Sequence, residues 1–200
     1  MTWGVSSATC ATTRAQSGLR AGVLLAAFAA ALGVRVAVGG YGVSQSQPAG
    51  LVFAACLLLL ALACRTRVQV STGALLAGAA GGLLICLPAA LSQLLAGRSL
   101  PDTAGLWPWV LVVTVIAGAE EVFLRGTLYD AVSEFAGTSW AVCVGAVALA
   151  LLHVPLYGWH VLPLDLTVGV VLGMLRASTG SVVAPATAHV IADWAGWFLR

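Results

Sequence analysis

Long apolar stretches separated by short polar breaks set the pattern of this chain. An apolar run opens at Ala21 and reaches about Gly40, with Arg35 close to its end. Gly39, Gly40, Gly42, Ser44, Gln45, Ser46, Gln47 and Pro48 then interrupt the stretch, so a second helix covers about 49–64 and stops at Arg65 and Arg67. A third, 73–96, precedes a polar connection holding Arg98, Pro101 and Asp102. The fourth begins near Trp107 and, with no proline from Trp109 onward, continues through Glu120-Glu121 to about Phe135, with Gly137 as the turn. A fifth, about 139–154, stops at Pro155, a sixth covers about 161–176, and Ser178-Thr179-Gly180-Ser181 turns the chain into a seventh. These runs do not alternate at period two, so they predict spanning helices and not barrel strands. The expected fold class is all-α, a polytopic transmembrane bundle of about seven spans (six to eight).

Composition agrees with that environment. The chain is 60% hydrophobic and 8% charged, where soluble domains carry roughly 25% charged residues. A soluble, disordered or nucleic-acid-binding protein is excluded, and the lipid bilayer is the expected partner. Lysine is absent, and the net charge of +2 rests on arginine, too little to signal nucleic acid. Residues 1–20 form a Ser/Thr-rich tail with Arg14 and Arg20; tail and following run resemble a signal peptide, but so much further apolar chain favours an uncleaved anchor. Residues 21–106 make an N-terminal set of helices and 107–200 a core that carries the chemistry. Cys10, Cys56, Cys64, Cys86 and Cys143 show no CxxC spacing and read as structural. Six tryptophans, Trp107, Trp109, Trp140, Trp159, Trp194 and Trp197, fall near predicted helix ends, the headgroup level such rings prefer. Gly78 with Gly82, and Gly169 with Gly173, suit close helix packing. Arg14, Arg20, Arg65, Arg67 and Arg176 fall on the side of the N-terminal tail (side A), against Arg35, Arg98 and Arg200 on the other (side B), which leans side A toward the cytoplasm.

A charge at the bilayer centre costs about 2.5–3.5 kcal/mol on insertion scales, so every intramembrane ionisable group needs a reason. Three segments hold most of them: Glu120-Glu121 with Arg125 in the fourth helix, His153 at the end of the fifth, and His189 with Asp193 in the seventh. Glu121 and Arg125, four apart, share a face in the acid-before-base order that stabilises such a pair. Glu120 is turned about 100° away and cannot share that arginine equally, which leaves it free for general-base work. At about 1.5 Å rise per residue, Glu120 lies roughly 24 Å before the turn at Gly137 and His153 an equal distance after it. They therefore meet at one level, in the half of the membrane nearer side B, with His189 within several ångströms of it. A purely architectural network of ion pairs is the competing reading, and His160, beside Gly158 and Trp159, reads as a loop residue.

At these residues the chain resembles the CPBP family, the intramembrane proteases grouped with CAAX prenyl endopeptidases and bacteriocin-processing (Abi) proteins. The family's EExxxR, FxxxH and HxxxN/D motifs read here as Glu120-Glu121-x-x-x-Arg125, Leu149-x-x-x-His153 and His189-x-x-x-Asp193. Gly169, Gly173, Thr179-Gly180-Ser181 and Ala184-Pro185 also look like the segment before its last histidine. Leu149 stands in place of the usual Phe, and Asp193 where the prenyl endopeptidases have Asn; an ionised Asp cannot donate a hydrogen bond to an oxyanion. The resemblance covers about residues 107–197. It implies an intramembrane endopeptidase cutting a membrane-associated peptide or protein, with Glu120 activating water, His153 sharing that water, His189 and Asp193 facing the carbonyl oxygen, and Glu121 with Arg125 in support. Glu120, His153 and His189 are also a donor set that could hold zinc, although HExxH is absent.

Two other function classes compete. A non-catalytic bacteriocin-immunity or membrane scaffold protein could retain the motif. A proton-coupled transporter would also place Glu and His in the membrane, but with a two-fold internal repeat, whereas the ionisable groups here lie mainly in the second half. The expected location is a cell membrane, multi-pass, and the Ala/Arg-rich, Lys-free composition points to a bacterial source. The charge asymmetry puts side B outside, while the resemblance to prenyl endopeptidases implies a site open to the cytosol.

Overall fold

A computed structural model describes residues 7–42, 46–97 and 102–199, with side chains from residue 14 onward. Ser44, Gln45, Arg98, Pro101, Arg200 and the side chain of Cys10 lie outside the described residues. The described chain is helical and contains no strand: α1 Ser7–Gly39, α2 Gln47–Ala63, α3 Thr72–Leu95, α4 Leu106–Glu121, α5 Tyr129–Ala136, α6 Thr138–Tyr157, α7 Leu162–Thr179 and α8 Val183–Leu199. A π-helical segment, Val122–Leu128, joins α4 to α5, so that Leu106–Ala136 is one continuous rod. A single 3-10 turn, Trp159–Val161, leads into α7.

Five helical segments are long and apolar enough to cross a membrane: Arg14–Gly39, Thr72–Leu95, Leu106–Ala136, Thr138–Tyr157 and Trp159–Thr179. The other two helices expected to span, α2 and α8, have 17 residues each. Two boundaries differ from expectation. The helix of α1 begins at Ser7, inside the stretch set apart as a tail, because no proline and only Gly18 interrupt Ser7–Arg20. Helix α6 passes through Pro155 and stops at Gly158 (φ 95°). A proline near a helix end forfeits only one hydrogen bond, and the Pro155 carbonyl accepts from the Gly42 amide at 2.8 Å, which ties the α1–α2 loop to α6.

Glycines set the two closest seams. A Cβ on Gly78 would meet the Ala184 carbonyl oxygen, and one on Gly82 would come 2.9 Å from that of Ala188, so α3 lies directly against α8. A Cβ on Gly169 would fall 2.7 Å from Ala146 Cα and one on Gly173 2.8 Å from Val142 Cγ1, which brings α7 against α6. Small residues let backbones approach where lipid supplies no hydrophobic drive between helices. The core runs through Phe28 of α1, Phe53 and Leu57 of α2, Phe123, and Leu149 and Leu152 of α6. Phe28 stacks on Phe123 with centroids 5.7 Å apart and planes 7° from parallel, so α1 packs against the rod that carries the paired glutamates. Cys56, Cys64, Cys86 and Cys143 are free thiols.

Arg14, Arg20, Arg65, Arg67 and Arg176 gather at the end of the bundle holding the α2–α3 loop, the close of α5 and the α7–α8 turn, as assigned to side A. Arg35 does not behave as a boundary charge. It is buried and turned inward, toward Glu120.

Candidate active site

The rod Leu106–Ala136 carries both glutamates at the last two residues of α4, one residue before the backbone widens into the π segment. Such π segments recur at functional sites. Glu121 is fully buried and saturated at one oxygen: Arg125 Nη1 donates to Glu121 Oε1 at 2.7 Å, and His189 Nδ1 lies 2.8 Å from the same atom. Arg125 Nη2 donates onward to the Gly169 carbonyl at 3.1 Å. One carboxylate thus clips the rod, α7 and α8 together. An ionised carboxylate only accepts, so His189 Nδ1 carries a proton, and Nε2 points toward Asp193 Oδ1, 3.7 Å away.

Glu120 is just as buried, but its surroundings are looser. Its nearest cation is Arg35, with Nη1 3.5 Å from Oε1, and that nitrogen makes no hydrogen bond among the described residues. Arg35 sits over the Phe53 ring at 5.3 Å. Glu120 faces a cavity of about 320 Å³ shared with Arg35, His153, Tyr157, Asp193 and Trp109. The cavity is lined by the side-B ends of α1, α4, α6 and α8, and the Trp109–Trp197 ring pair stands at its wall, 5.1 Å between centroids.

His153 reaches the cavity from the last turns of α6. Its Nδ1 is 3.1 Å from Asp165 Oδ2 of α7, within ion-pair distance but off the hydrogen-bonding direction, and its ring packs 5.6 Å from that of Tyr157. Of the residues singled out in the sequence, Glu120, His153 and Asp193 share the cavity wall. His189 stands behind it, buried against Glu121. Glu120, His153, Asp193 and Arg35 line one cavity, and His189 Nε2 lies 3.7 Å from Asp193, so the four motif residues and Arg35 form one neighbourhood. His160 lies in the exposed 3-10 turn, apart from it.

Sequence reasoning missed Arg35 and Asp165 as parts of this neighbourhood. Both are charges inside an apolar helix, the same signal that singled out the glutamates, but Arg35 was assigned to a span boundary.

Over residues 102–195 the chain matches a family model, Rce1-like: Type II CAAX prenyl endopeptidase Rce1-like. The match supports the resemblance of that stretch to the CPBP family. The match includes Glu120, Glu121, Arg125, His153, His189 and Asp193; Arg35 lies outside it. That similarity supports a membrane-embedded protease of the CAAX type. No curated protein and no solved structure matches the chain.

Zinc was a possible ligand of Glu120, His153 and His189. Among the described residues no three His, Cys, Asp or Glu side chains are grouped to hold a metal ion. In this arrangement the three do not fit zinc.

Proposed function

We propose that the chain is an intramembrane endopeptidase that hydrolyses a peptide bond of a membrane-associated peptide or protein, with Glu120 as general base. One observation carries the reading: a buried carboxylate with no short bond of its own faces a cavity together with His153, inside a segment that matches a protease family. Water admitted to that cavity loses a proton to Glu120, and the hydroxide attacks the scissile carbonyl carbon. His153, held from behind by Asp165, orients the water. The carbonyl oxygen, now negative, lies toward Asp193 and His189, and Nε2 of His189 donates to it only when the ring is doubly protonated. Glu120 returns its proton to the amide nitrogen, the C–N bond breaks, and the new carboxylic acid passes its proton to the amine, so that a carboxylate and an ammonium group leave.

Glu121 and Arg125 act as positioning residues. Their bonds fix the rod beside Glu120 and set the His189 ring, without contact with substrate. Helices α2 and α8, about 26 Å long at 17 residues, reach the lower limit for spanning and complete seven crossings of a cell membrane.

The test is cleavage of a membrane-anchored peptide library by the purified protein in lipid, wild type against Glu120→Gln. The expected result is loss of cleavage by at least about 10²-fold. Undiminished cleavage would remove Glu120 as the base, and a scaffold protein would keep its binding in the same variant.

A further inference from the structure

The end of the bundle opposite the cavity carries a second depression that the protease reading leaves unused. It encloses about 310 Å³ and is lined by Arg20 of α1, Arg65 and Arg67 of the α2–α3 loop, Arg176 of α7 and Ser181, with Asp130 as the carboxylate among them. Two of the four guanidinium groups are committed. Arg176 Nη2 donates to Asp130 Oδ1 at 2.9 Å and its Nε to the Arg125 carbonyl at 2.8 Å, while Arg20 Nη1 lies 3.7 Å from Glu134. Arg65 and Arg67 are exposed, and their guanidinium groups make no hydrogen bond or ion pair with a described residue.

The loop that presents them is fixed. Thr66 Oγ1 and Thr127 Oγ1 are hydrogen-bonded at 2.6 Å, and Ser181 Oγ donates to the Gln69 carbonyl at 3.0 Å. Helix α2 closes with two bonds, Thr66 N–H to the Ala61 carbonyl and Arg65 N–H to that of Leu62, which is the Schellman pattern. Its left-handed position normally takes glycine, yet Arg65 holds it at φ 55°, and no other non-glycine residue described has positive φ. Arg65 thus holds, at the rim of a basic cavity, a backbone position that costs a non-glycine residue on the order of 1 kcal/mol. A bias of arginine to one membrane face explains its abundance there, but neither the convergence on one concavity nor the strained position.

We propose that this depression binds a phosphate-bearing anion at the membrane surface, the headgroup of an acidic phospholipid or a soluble phosphate. Guanidinium forks match phosphate oxygens in paired hydrogen bonds, and basic clusters at a membrane surface draw anionic headgroups. Arg65 and Arg67 supply the uncommitted donors, and Arg176, held by Asp130 and the π segment, forms the floor.

The proposal is tested by thermal unfolding of the full chain in non-ionic detergent at fixed ionic strength, titrated with phosphatidylglycerol, phosphatidylcholine or inorganic phosphate. A saturable rise in Tm with phosphatidylglycerol and none with phosphatidylcholine is expected. In R65G/R67Q the half-saturation point should move up by about tenfold or more, and glycine suits the cap, so the fold is kept. R14Q, whose arginine donates to the Phe135 carbonyl away from the depression, should titrate as wild type. A rise confined to the lipid assigns the headgroup; a matching rise with inorganic phosphate assigns the phosphate group alone. An equal response to phosphatidylcholine, no rise with either anionic probe, or an unshifted curve in R65G/R67Q overturns the site. Glu120→Gln should bind as wild type, so this outcome is independent of the protease reading.

Discussion

Glu120 and Glu121 are consecutive and equally buried, yet they hold opposite positions in the molecule. Glu121 spends one oxygen on two short contacts, to Arg125 at 2.7 Å and His189 at 2.8 Å, and Arg125 extends the chain of bonds to α7. Glu120 has only the 3.5 Å approach of Arg35 and an open cavity in front of it. Glu121 Oε2 is buried without a partner and away from the cavity lining, so this carboxylate, committed through Oε1 to its own protein, serves as a clip out of a substrate's reach. A buried charge held loosely at the wall of a cavity keeps its lone pairs for an incoming molecule.

The contrast is sharpened by mutation, and the largest effect is expected at the clip. Glu121→Ala leaves the Arg125 guanidinium buried without its carboxylate, which should cost about 3–5 kcal/mol and abolish a cooperative melt in detergent. A wild-type melting curve for this variant would show that the clip is dispensable. Gly169→Val presses a side chain against Ala146 of α6 and should destabilise by about 1–3 kcal/mol, read in the same melt; no change would mean that the seam is loose. Arg35→Gln removes the cation nearest Glu120 and should lower kcat by about tenfold or more with a smaller change in Tm than Glu121→Ala. A larger loss of Tm than of kcat would return Arg35 to the structural side of the comparison. Asp165→Asn, which acts through His153, should reduce kcat by about tenfold or less, without the change in KM that a substrate contact would produce. The smallest effect is expected from chelation: cleavage should persist in EDTA, and a loss restored by added zinc would contradict the metal-free assignment.

Much of the core was legible from spacing. Glu120 and His153 share a cavity because each lies about sixteen residues from the turn at Gly137 on antiparallel rods of equal rise, and the Glu121–Arg125 pair follows from helical period alone. Gly78, Gly82, Gly169 and Gly173 marked the seams correctly. The contact of His189 with Glu121 spans 68 positions and has no local signature; it depends on how α8 rotates once its first turns meet Gly78 and Gly82. The π segment was read as ordinary helix, since shifting a backbone hydrogen bond from four residues to five leaves no mark in composition. Arg35 was assigned to a boundary because an arginine near the end of an apolar run has the same pattern as one at the headgroup level. Only the packing of Phe28 on Phe123 and of Arg35 on Phe53 brings it inside.

The most direct measurement records cleavage and unfolding on the same preparations of wild type, Glu120→Gln and Glu121→Gln. The account predicts that Glu120→Gln melts within about 1 kcal/mol of wild type and does not cleave, while Glu121→Gln loses stability first. Cleavage by a well-folded Glu120→Gln protein, or an equal loss of fold in both variants, would contradict the division of labour between the two carboxylates.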